Sequence, residues 1–269
     1  MECKRISDRP RTIYTSTCNT DPKNMKMLSG MWDAFVNWEK RLKTEGPFLL
    51  RHLPASGKVF DARTGTGVDS IFLLKNGYAV TCNEPDPNFL GNARVNSDLA
   101  KVTPLFTSYD WLELEQHVRR GTFDAVICLG NAFTCLLDRE DQPGALHNFL
   151  SILKDTGVLI VDILNYDYLL DEPRSIQKAR KFRTYSGNYV YCGIDKVQAL
   201  PVQISEDNII LEFTDLRTEE KAHLFAYPFR RTELYDIILE TGFKSISFFS
   251  DYQPVLNSKA DFYQFVCRR

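Results

Sequence analysis

The 269-residue sequence lacks the cysteine and histidine patterns that hold metals or disulfide frameworks. Its seven cysteines are scattered and odd in number, and no two of them form a CxxC pair. Paired spacings of that kind are typical of zinc sites and of small disulfide-linked domains. The four histidines form no metal-binding motif either. The sequence therefore predicts neither a metal site nor a disulfide framework, and we expect a soluble protein of a reducing compartment, the cytoplasm.

Long apolar runs and an excess of charge of one sign are also missing. No run approaches the roughly 20 residues that a membrane-spanning helix needs, and residues 1–10 (MECKRISDRP) lack the apolar stretch of a signal peptide. The 33 Lys and Arg residues nearly balance the 35 Asp and Glu residues, for a net charge of -2. Such a charge gives no general attraction for nucleic acid or anionic membranes. We expect neither as a partner, and a homo-oligomer stays possible.

What the sequence does contain is an alternation of strand-like and helix-like segments. Strands are predicted at 58–62, 78–83, 102–106, 123–129 and 158–164, with helices at 67–77, 87–95 and 142–157. Residues 123–129 (FDAVICL) are apolar on both faces, as in a strand of a parallel sheet that is covered by helices on each side. The alternation predicts an α/β fold with an open parallel sheet.

The flanking regions differ from this α/β pattern. Residues 1–28 are polar and predict a flexible arm, and residues 31–53 have helical apolar spacing with a break near Gly46-Pro47. Residues 165–228 alternate apolar and polar side chains, as antiparallel strands do. A helix at 231–241 and two strands, within 243–250 and 262–269, close the chain. We therefore predict one domain, 29–269, that carries an antiparallel insertion at 165–228.

Residues 58–70 (KVFDARTGTGVDS) place an acid and two glycines at the end of the first strand. In open parallel sheets, ligands bind beyond the carboxyl ends of the strands. A dinucleotide fold would have a third glycine at Ser70. Asp61 instead suits a positively charged group, and Glu84, at the end of the second strand, has the spacing from Gly65 that suits a ribose diol. The set predicts S-adenosylmethionine (SAM) as the ligand; the alternative for Gly65 and Gly67 alone is a plain strand–helix turn.

Six segments taken together carry a family resemblance. They are 32–46 (WDAFVNWEKRLKTEG), 61–74 (DARTGTGVDSIFLL), 109–112 (YDWL), 123–136 (FDAVICLGNAFTCL), 165–170 (NYDYLL) and 226–230 (AYPFR). In these segments the chain resembles the glycine N-methyltransferase and glycine/sarcosine N-methyltransferase family of class I SAM-dependent enzymes, over about residues 30–265. The resemblance implies a Rossmann-like sheet with an antiparallel insertion and an N-terminal helical lid. It also implies methyl transfer from SAM to an amine nitrogen, with S-adenosylhomocysteine (SAH) as the product.

The resemblance implies roles for individual residues on the donor side. The expected donor-binding residues are Trp32, Arg41, Asp61, Arg63, Thr64, Gly65, Gly67, Glu84, Asp110, Trp111 and Leu129. Arg41 would pair with the methionyl carboxylate, and Glu84 would bind the ribose. Asp110 and Trp111 would flank the adenine. Two of these residues have alternative interpretations, because Arg41 could be a solvated charge on an amphipathic helix and Trp111 could be an ordinary core aromatic.

The acceptor side departs from the family. Leu164 stands where glycine-methylating members have an arginine that grips the substrate carboxylate, and Ala132 replaces a serine. Each charge-assisted bond of such an arginine contributes about 1.5–3 kcal/mol, so its absence disfavours glycine. We therefore predict a small amine or guanidine compound of specialised metabolism that lacks the glycine carboxylate.

The candidate acceptor-site residues are Phe35, Asn131, Leu164, Tyr166, Tyr191 and Tyr227. Of these, Asn131, Tyr166, Tyr191 and Tyr227 are the candidates for a catalytic role. Asp162 and Asp167 are possible partners for a cationic acceptor. Two alternatives stay open: Asn131 could cap the following turn, and Tyr166 could be a packing residue.

Arg63 is the second departure, at a position where the family has a small residue. Its side chain could reach the methionyl carboxylate, reposition the substrate or crowd the glycine loop. One alternative function follows from it, a glycine or sarcosine methyltransferase in which Arg63 takes over carboxylate binding. Another is a regulatory protein that binds SAM or SAH without catalysis.

Overall fold

The computed structural model of the protein describes residues 21–174, 176 and 196–269. Its central sheet has seven strands in the order β3-β2-β1-β4-β5-β10-β9. The strands are β1 (Lys58–Asp61), β2 (Ala79–Asn83), β3 (Leu105–Thr107), β4 (Phe123–Cys128), β5 (Leu153–Leu164), β9 (Ser245–Ser250) and β10 (Phe262–Arg268). The first five are parallel, and β10 runs antiparallel to both β5 and β9. The predicted Rossmann-like sheet is confirmed.

Eight helices of the described part of the chain accompany the sheet. They are α1 (Pro22–Phe35), α2 (Trp38–His52), α3 (Val68–Lys75), α4 (Pro87–Ala100), α5 (Leu114–His117), α6 (Gln142–Ile152), α7 (Tyr166–Asp171) and α8 (Arg231–Thr241). Val59 and Phe60 are neighbours on β1 but belong to two different apolar clusters. Since adjacent strand residues point to opposite faces, both faces of the sheet are covered, as the doubly apolar strands predict. None of the described helices is long and apolar enough to span a membrane.

A separate antiparallel sheet forms the insertion between β5 and α8. Its strands, β6 (Val197–Ile204), β7 (Ile209–Asp215) and β8 (Lys221–Ala226), pair in the order β6-β7-β8. The alternation of apolar and polar residues predicts these three strands correctly. A fourth predicted strand, at 189–194, lies outside the described residues.

Four predicted boundaries are wrong. The helix α1 begins at Pro22, not after residue 28, because Asp21 caps it by accepting a hydrogen bond from Lys23 N at 3.0 Å; residues 1–20 of the predicted arm lie outside the described residues. The break in the helical region falls at 36–37 rather than at Gly46-Pro47. Gly46 instead lets α2 pack closely on α3, since a Cβ there would lie 2.8 Å from the Phe72 ring.

The other two errors concern strand lengths. The predicted helix 142–157 ends at Ile152, and β5 begins at Leu153, where Leu153 pairs with Phe123 of β4. The strand predicted at 102–106 is displaced to 105–107 as a short edge strand. Neither error moves the carboxyl ends of β1, β2 and β4, which lie at one edge of the sheet and position the site.

Candidate functional site

A cavity opens where the loops after β1, β2 and β4 meet the amino-terminal helix α1. Its empty volume is about 630 Å³, with the open solvent at its mouth included. Charged and hydrogen-bonding groups line its side toward the sheet. Its apolar lining comes mainly from α1, α4 and β8, through Met25, Leu28, Trp32, Phe89 and Leu224. This edge of a parallel sheet is where open α/β proteins bind their ligands.

The glycine loop after β1 lines one side of the cavity. Gly65 and Gly67 have φ values of 58° and 102°, in the left-handed region that other residues rarely adopt. A Cβ on Gly67 would also lie 3.4 Å from Ile71 Cδ1 and 3.6 Å from Ala93 Cα. The loop therefore needs both glycines to turn sharply from β1 into α3.

Glu84 holds this loop from the end of β2. Its Oε2 accepts a hydrogen bond from Gly65 N at 2.9 Å, and its Oε1 accepts one from Asp86 N at 3.0 Å. Burial raises the pKa of Glu84, and the neighbouring guanidinium of Arg63 opposes that rise. Arg63 Nε lies 3.7 Å from Glu84 Oε1. The sequence leaves the role of Arg63 open. In the structure Arg63 forms an ion pair with Glu84, the residue that is expected to bind the ribose.

Arg41 reaches the cavity from α2 within a buried ionic cluster. Its Nε and Nη2 donate to Glu45 at 2.7 and 3.2 Å, and Nη2 also donates to Asp69 at 2.6 Å. The Arg41 side chain is 4% exposed, so its interpretation as a solvated charge is wrong. Burial raises the pKa of Asp69 well above its ordinary value, although Arg41 opposes that rise.

Two further carboxylates are buried near this cluster. Asp61 accepts a hydrogen bond from Ser70 Oγ at 2.6 Å, and burial raises its pKa to about 6. Asp162, at the end of β5, accepts a hydrogen bond from Asn131 N at 2.7 Å. Burial and the charge of Glu45 raise the pKa of Asp162 to about 7. Buried carboxylates thus outnumber the guanidinium that they surround, and a ligand with positive charge would offset the excess.

Asn131 organises the loop after β4. It has a φ of 66°, and its Nδ2 donates to Tyr166 Oη at 2.7 Å while its Oδ1 accepts from Leu164 N at 2.9 Å. The side chain makes no cap hydrogen bond to the short 3-10 turn that follows, so the capping interpretation is wrong. Tyr166 is fully buried, and burial raises its pKa to about 12. The structure therefore brings three predicted acceptor-site residues together: Asn131, Leu164 and Tyr166.

Several predicted donor residues line the cavity, and others do not. Trp32, Arg41, Arg63, Thr64, Gly65, Glu84, Leu129 and Asn131 are lining residues. Four predicted donor residues are not among the described lining residues: Asp61, Gly67, Asp110 and Trp111. Trp111 donates its Nε1 proton to the Ala62 carbonyl at 2.8 Å and stacks on Phe133 with ring centroids 6.0 Å apart. This geometry fits the core-aromatic interpretation of Trp111. Asp110 accepts a hydrogen bond from Leu112 N at 2.9 Å at the start of a 3-10 turn.

Of the acceptor candidates, four are not among the described lining residues of the cavity: Phe35, Leu164, Tyr166 and Tyr227. Phe35 packs against Trp32 and Phe213, with ring centroids 6.0 and 5.0 Å apart. Tyr227 donates its hydroxyl proton to Glu233 at 2.6 Å. Tyr191 lies outside the described residues, so its predicted role stays a prediction.

Asp167 has a cationic partner within the protein. It accepts a hydrogen bond from Arg231 N at 3.2 Å, and its Oδ2 lies 3.9 Å from Arg231 Nε. Asp167 is thus paired with Arg231 at the start of α8 rather than with an acceptor. Of the two candidate acids, only Asp162 lies next to the site.

Sequence reasoning missed three residues of the ionic cluster. Glu45 follows Arg41 at the i,i+4 spacing at which helical side chains meet, and Asp69 lies directly after the glycine loop, so both had a signal in the sequence. Tyr252 donates its hydroxyl proton to Glu45 at 3.2 Å across 207 residues of chain. No local pattern could have indicated that contact.

Comparisons with known proteins agree with this fold. A family model described as a methyltransferase domain matches residues 59–157. Glycine/sarcosine N-methyltransferases of Aphanothece halophytica and Parasynechococcus marenigrum are 34% and 35% identical to this chain, over 88% and 99% of it and over 86% and 91% of their own lengths. A crystal structure of a SAM-dependent methyltransferase from Clostridium acetobutylicum superposes with a TM-score of 0.66 and 14% identity, covering 91% of this chain and 97% of the other.

At 14% identity the structural likeness shows the fold alone, whereas the two sequence relatives span nearly the whole chain. The charged wall of the cavity fits a cationic nucleoside donor. It contains a glycine loop, a carboxylate at the end of β2 and more buried carboxyl groups than guanidinium groups around Arg41. The chain therefore belongs to the family of the glycine/sarcosine N-methyltransferases, and it is a SAM-dependent N-methyltransferase.

Proposed function

We propose that this enzyme transfers the methyl group of SAM to the nitrogen of a small amine that lacks an α-carboxylate. The observation that carries the proposal is Leu164, which is 5% exposed and hydrogen-bonded through its backbone to Asn131. A leucine side chain offers no hydrogen bond to a carboxylate and would remove water from it at a cost. An acceptor that binds next to Leu164 would therefore present a group other than the carboxylate of glycine.

The cations of the cavity wall support the same acceptor. Arg41 is engaged by Glu45 and Asp69, and Arg63 lies beside Glu84. An amino-acid acceptor would have to compete with these carboxylates for a guanidinium. The acid that lies closest to the acceptor loop is instead Asp162, and it would favour a cationic or neutral amine.

On the donor side, the methionine part and the ribose of SAM have partners in this proposal. Arg41 binds the methionyl carboxylate, the loop of Gly65 and Gly67 approaches the methionine part, and Glu84 accepts hydrogen bonds from the ribose. The buried acidic surplus offsets the charge of the sulfonium and of the ammonium group. These assignments follow from the positions of the residues on the cavity wall and from the family resemblance.

The chemistry needs no metal and no covalent intermediate. The nitrogen lone pair attacks the methyl carbon in line, the S–C bond breaks as the N–C bond forms, and the surplus proton leaves the nitrogen for water. Holding both partners in near-attack geometry supplies about 7–11 kcal/mol of the barrier reduction. An apolar wall of the kind that α1 and β8 form lowers the pKa of the acceptor amine and so favours its neutral, attacking form.

An acceptor panel tests the proposal. We expect methylamine, ethanolamine and the guanidine agmatine to include at least one acceptor with a kcat/KM about tenfold or more above that of glycine and sarcosine. Leu164→Arg is the matched variant, since it restores a guanidinium beside Asn131, and it should raise the kcat/KM for glycine relative to the best amine. Glycine or sarcosine turnover at least as efficient as that of every amine would refute the proposal.

The second candidate is glycine/sarcosine N-methyl transfer, the reaction that names the two relatives above. Their 34% and 35% identity over most of the chain favours it. In that case a cation on the cavity wall, Arg63, would have to leave Glu84 and bind the substrate carboxylate. The same panel separates the two candidates, because only the second predicts that glycine is the preferred acceptor.

A further inference from the structure

Tyr252 lies away from the cavity, but its hydroxyl ends a chain of buried contacts that starts there. Arg41 lines the cavity, its Nε and Nη2 donate to Glu45, and Glu45 Oε2 accepts the Tyr252 hydroxyl proton at 3.2 Å. Glu45 is fully buried, and Tyr252 is 4% exposed. Burial raises the pKa of Tyr252 well above its ordinary value, so the hydroxyl keeps its proton and acts as the donor.

The backbone that delivers Tyr252 adopts an unfavourable conformation. Asp251 and Tyr252 have φ values of 47° and 65°, in the left-handed region that residues other than glycine rarely adopt. Hydrogen bonds hold them there: Tyr252 N donates to Gln264 Oε1 at 2.8 Å, and Phe262 N donates to Asp251 Oδ1 at 2.9 Å. Strain of this kind concentrates where function fixes a side chain.

The Tyr252 ring and its hydroxyl contact the same helix. The ring packs edge-on against Phe48 of α2, with centroids 5.2 Å apart, one turn beyond Glu45. Packing alone would be satisfied by a phenylalanine. The hydroxyl adds one contact, and that contact falls on the carboxylate that orients Arg41.

We propose that Tyr252 is a positioning residue for the methyl donor: by fixing Glu45, it holds the Arg41 guanidinium in the orientation that binds the methionyl carboxylate. The inference rests on SAM as the donor and on the role of Arg41 under the proposed function. Without the hydroxyl, Glu45 keeps its bonds from Arg41 but can rotate with it, and the guanidinium then has to be reordered when the donor binds.

Two nucleosides test this inference by calorimetry on the full chain. SAH carries the amino-acid carboxylate, and 5′-methylthioadenosine lacks the whole amino-acid part. We expect Tyr252→Phe to weaken SAH binding about tenfold and to change 5′-methylthioadenosine binding by less than about twofold. A merely structural role would weaken both ligands alike, because the two share the adenosine site.

Tyr78→Phe is the matched control. Tyr78 is also buried, and it donates its hydroxyl proton to the Pro54 carbonyl at 2.7 Å, away from the ionic cluster. It should leave the affinity ratio of SAH to 5′-methylthioadenosine unchanged. Equal losses for both ligands in Tyr252→Phe, or no loss for SAH, would overturn the inference. Failure of the unsubstituted protein to bind SAH at all would instead refute the donor assignment itself.

Discussion

Arg63 and Glu84 face each other on the cavity wall, where a ribose is expected to bind. Glu84 must be ionised to accept hydrogen bonds from both ribose hydroxyls, and burial already raises its pKa. Arg63 works against that rise from 3.7 Å away. Its charge therefore favours the ionised form of Glu84, which the proposed donor site needs whichever acceptor the enzyme uses.

At the residue scale, we predict that Arg63→Ala changes the pH dependence of donor binding. Loss of the guanidinium raises the pKa of Glu84 further, because the burial that favours the neutral acid is then less opposed. Donor affinity is present above that pKa and is lost as the pH falls through it, so the loss should move to higher pH. Calorimetric titration with SAH between about pH 5 and 8 measures the shift.

Arg63→Lys is the control, since it keeps a positive charge at the same position and should leave the pH profile close to that of the unsubstituted protein. The glycine-methylating alternative predicts a different pattern for Arg63→Ala, in which glycine turnover disappears while the pH profile of SAH binding is unchanged. That pattern would contradict an electrostatic role of Arg63 at Glu84.

At the scale of elements, α1 supplies much of the apolar wall of the cavity. Asn24 joins it to β8 through two hydrogen bonds, with Nδ2 donating to the His223 carbonyl at 2.8 Å and His223 N donating to Oδ1 at 2.7 Å. Met25 and Leu28 follow at once and line the cavity. The amide side chain thus pairs with a strand edge as another strand would, and it sets where the apolar wall lies.

We therefore predict that Asn24→Ala loosens α1. The substitution leaves the two His223 backbone groups without their partner, at a cost of about 1–3 kcal/mol. The KM values for donor and acceptor should both rise several-fold, and limited proteolysis should cut within α1 faster. Asn76→Ala, which removes an exposed side-chain bond to the Phe72 carbonyl, is the control; equal effects of the two substitutions would argue against a closing role for α1.

Elements with a strong local pattern were predictable from the sequence. The helix at 231–241 and the glycine loop between β1 and α3 are found where periodicity and turn residues place them. The break between α1 and α2 was misplaced, since the pattern cannot reveal that Gly46 is used for close packing on Phe72. In the site, short motifs predicted Arg41 and Glu84 as binding residues. Several of the partners that hold their side chains in place come from distant segments, which no short motif indicates.

At the scale of the whole molecule, the buried acids make stability depend on pH. The pKa of Asp61 is raised to about 6 in the folded protein from an ordinary value near 3.8. The folded state therefore binds more protons than the unfolded chain over that interval, and the free energy of unfolding should fall as the pH rises from about 4 to about 6. Asp162, with a pKa of about 7, extends the interval in the same direction.

Asp61→Asn tests this dependence. Asparagine still offers Ser70 an acceptor oxygen but carries no charge, so urea unfolding at several pH values should show a smaller decline. The expected difference is on the order of 3 kcal/mol at neutral pH, since about two pKa units correspond to that much. Asp98→Asn on the exposed face of α4 is the control. An unaltered slope in Asp61→Asn would show that this carboxyl does not titrate as its burial requires.

The three-stranded sheet contributes Leu224 of β8 to the cavity lining. In the described part of the chain it forms no backbone hydrogen-bond ladder with the seven-stranded sheet. The strands β1 and β2, at whose ends the methyl donor is proposed to bind, therefore share no backbone pairing with β8. Substitutions in the three-stranded sheet can therefore adapt such an enzyme to new nucleophiles, while the strands β1 and β2 and the loops that follow them stay unchanged. The same partition makes β8 the first element to randomise in a directed-evolution library.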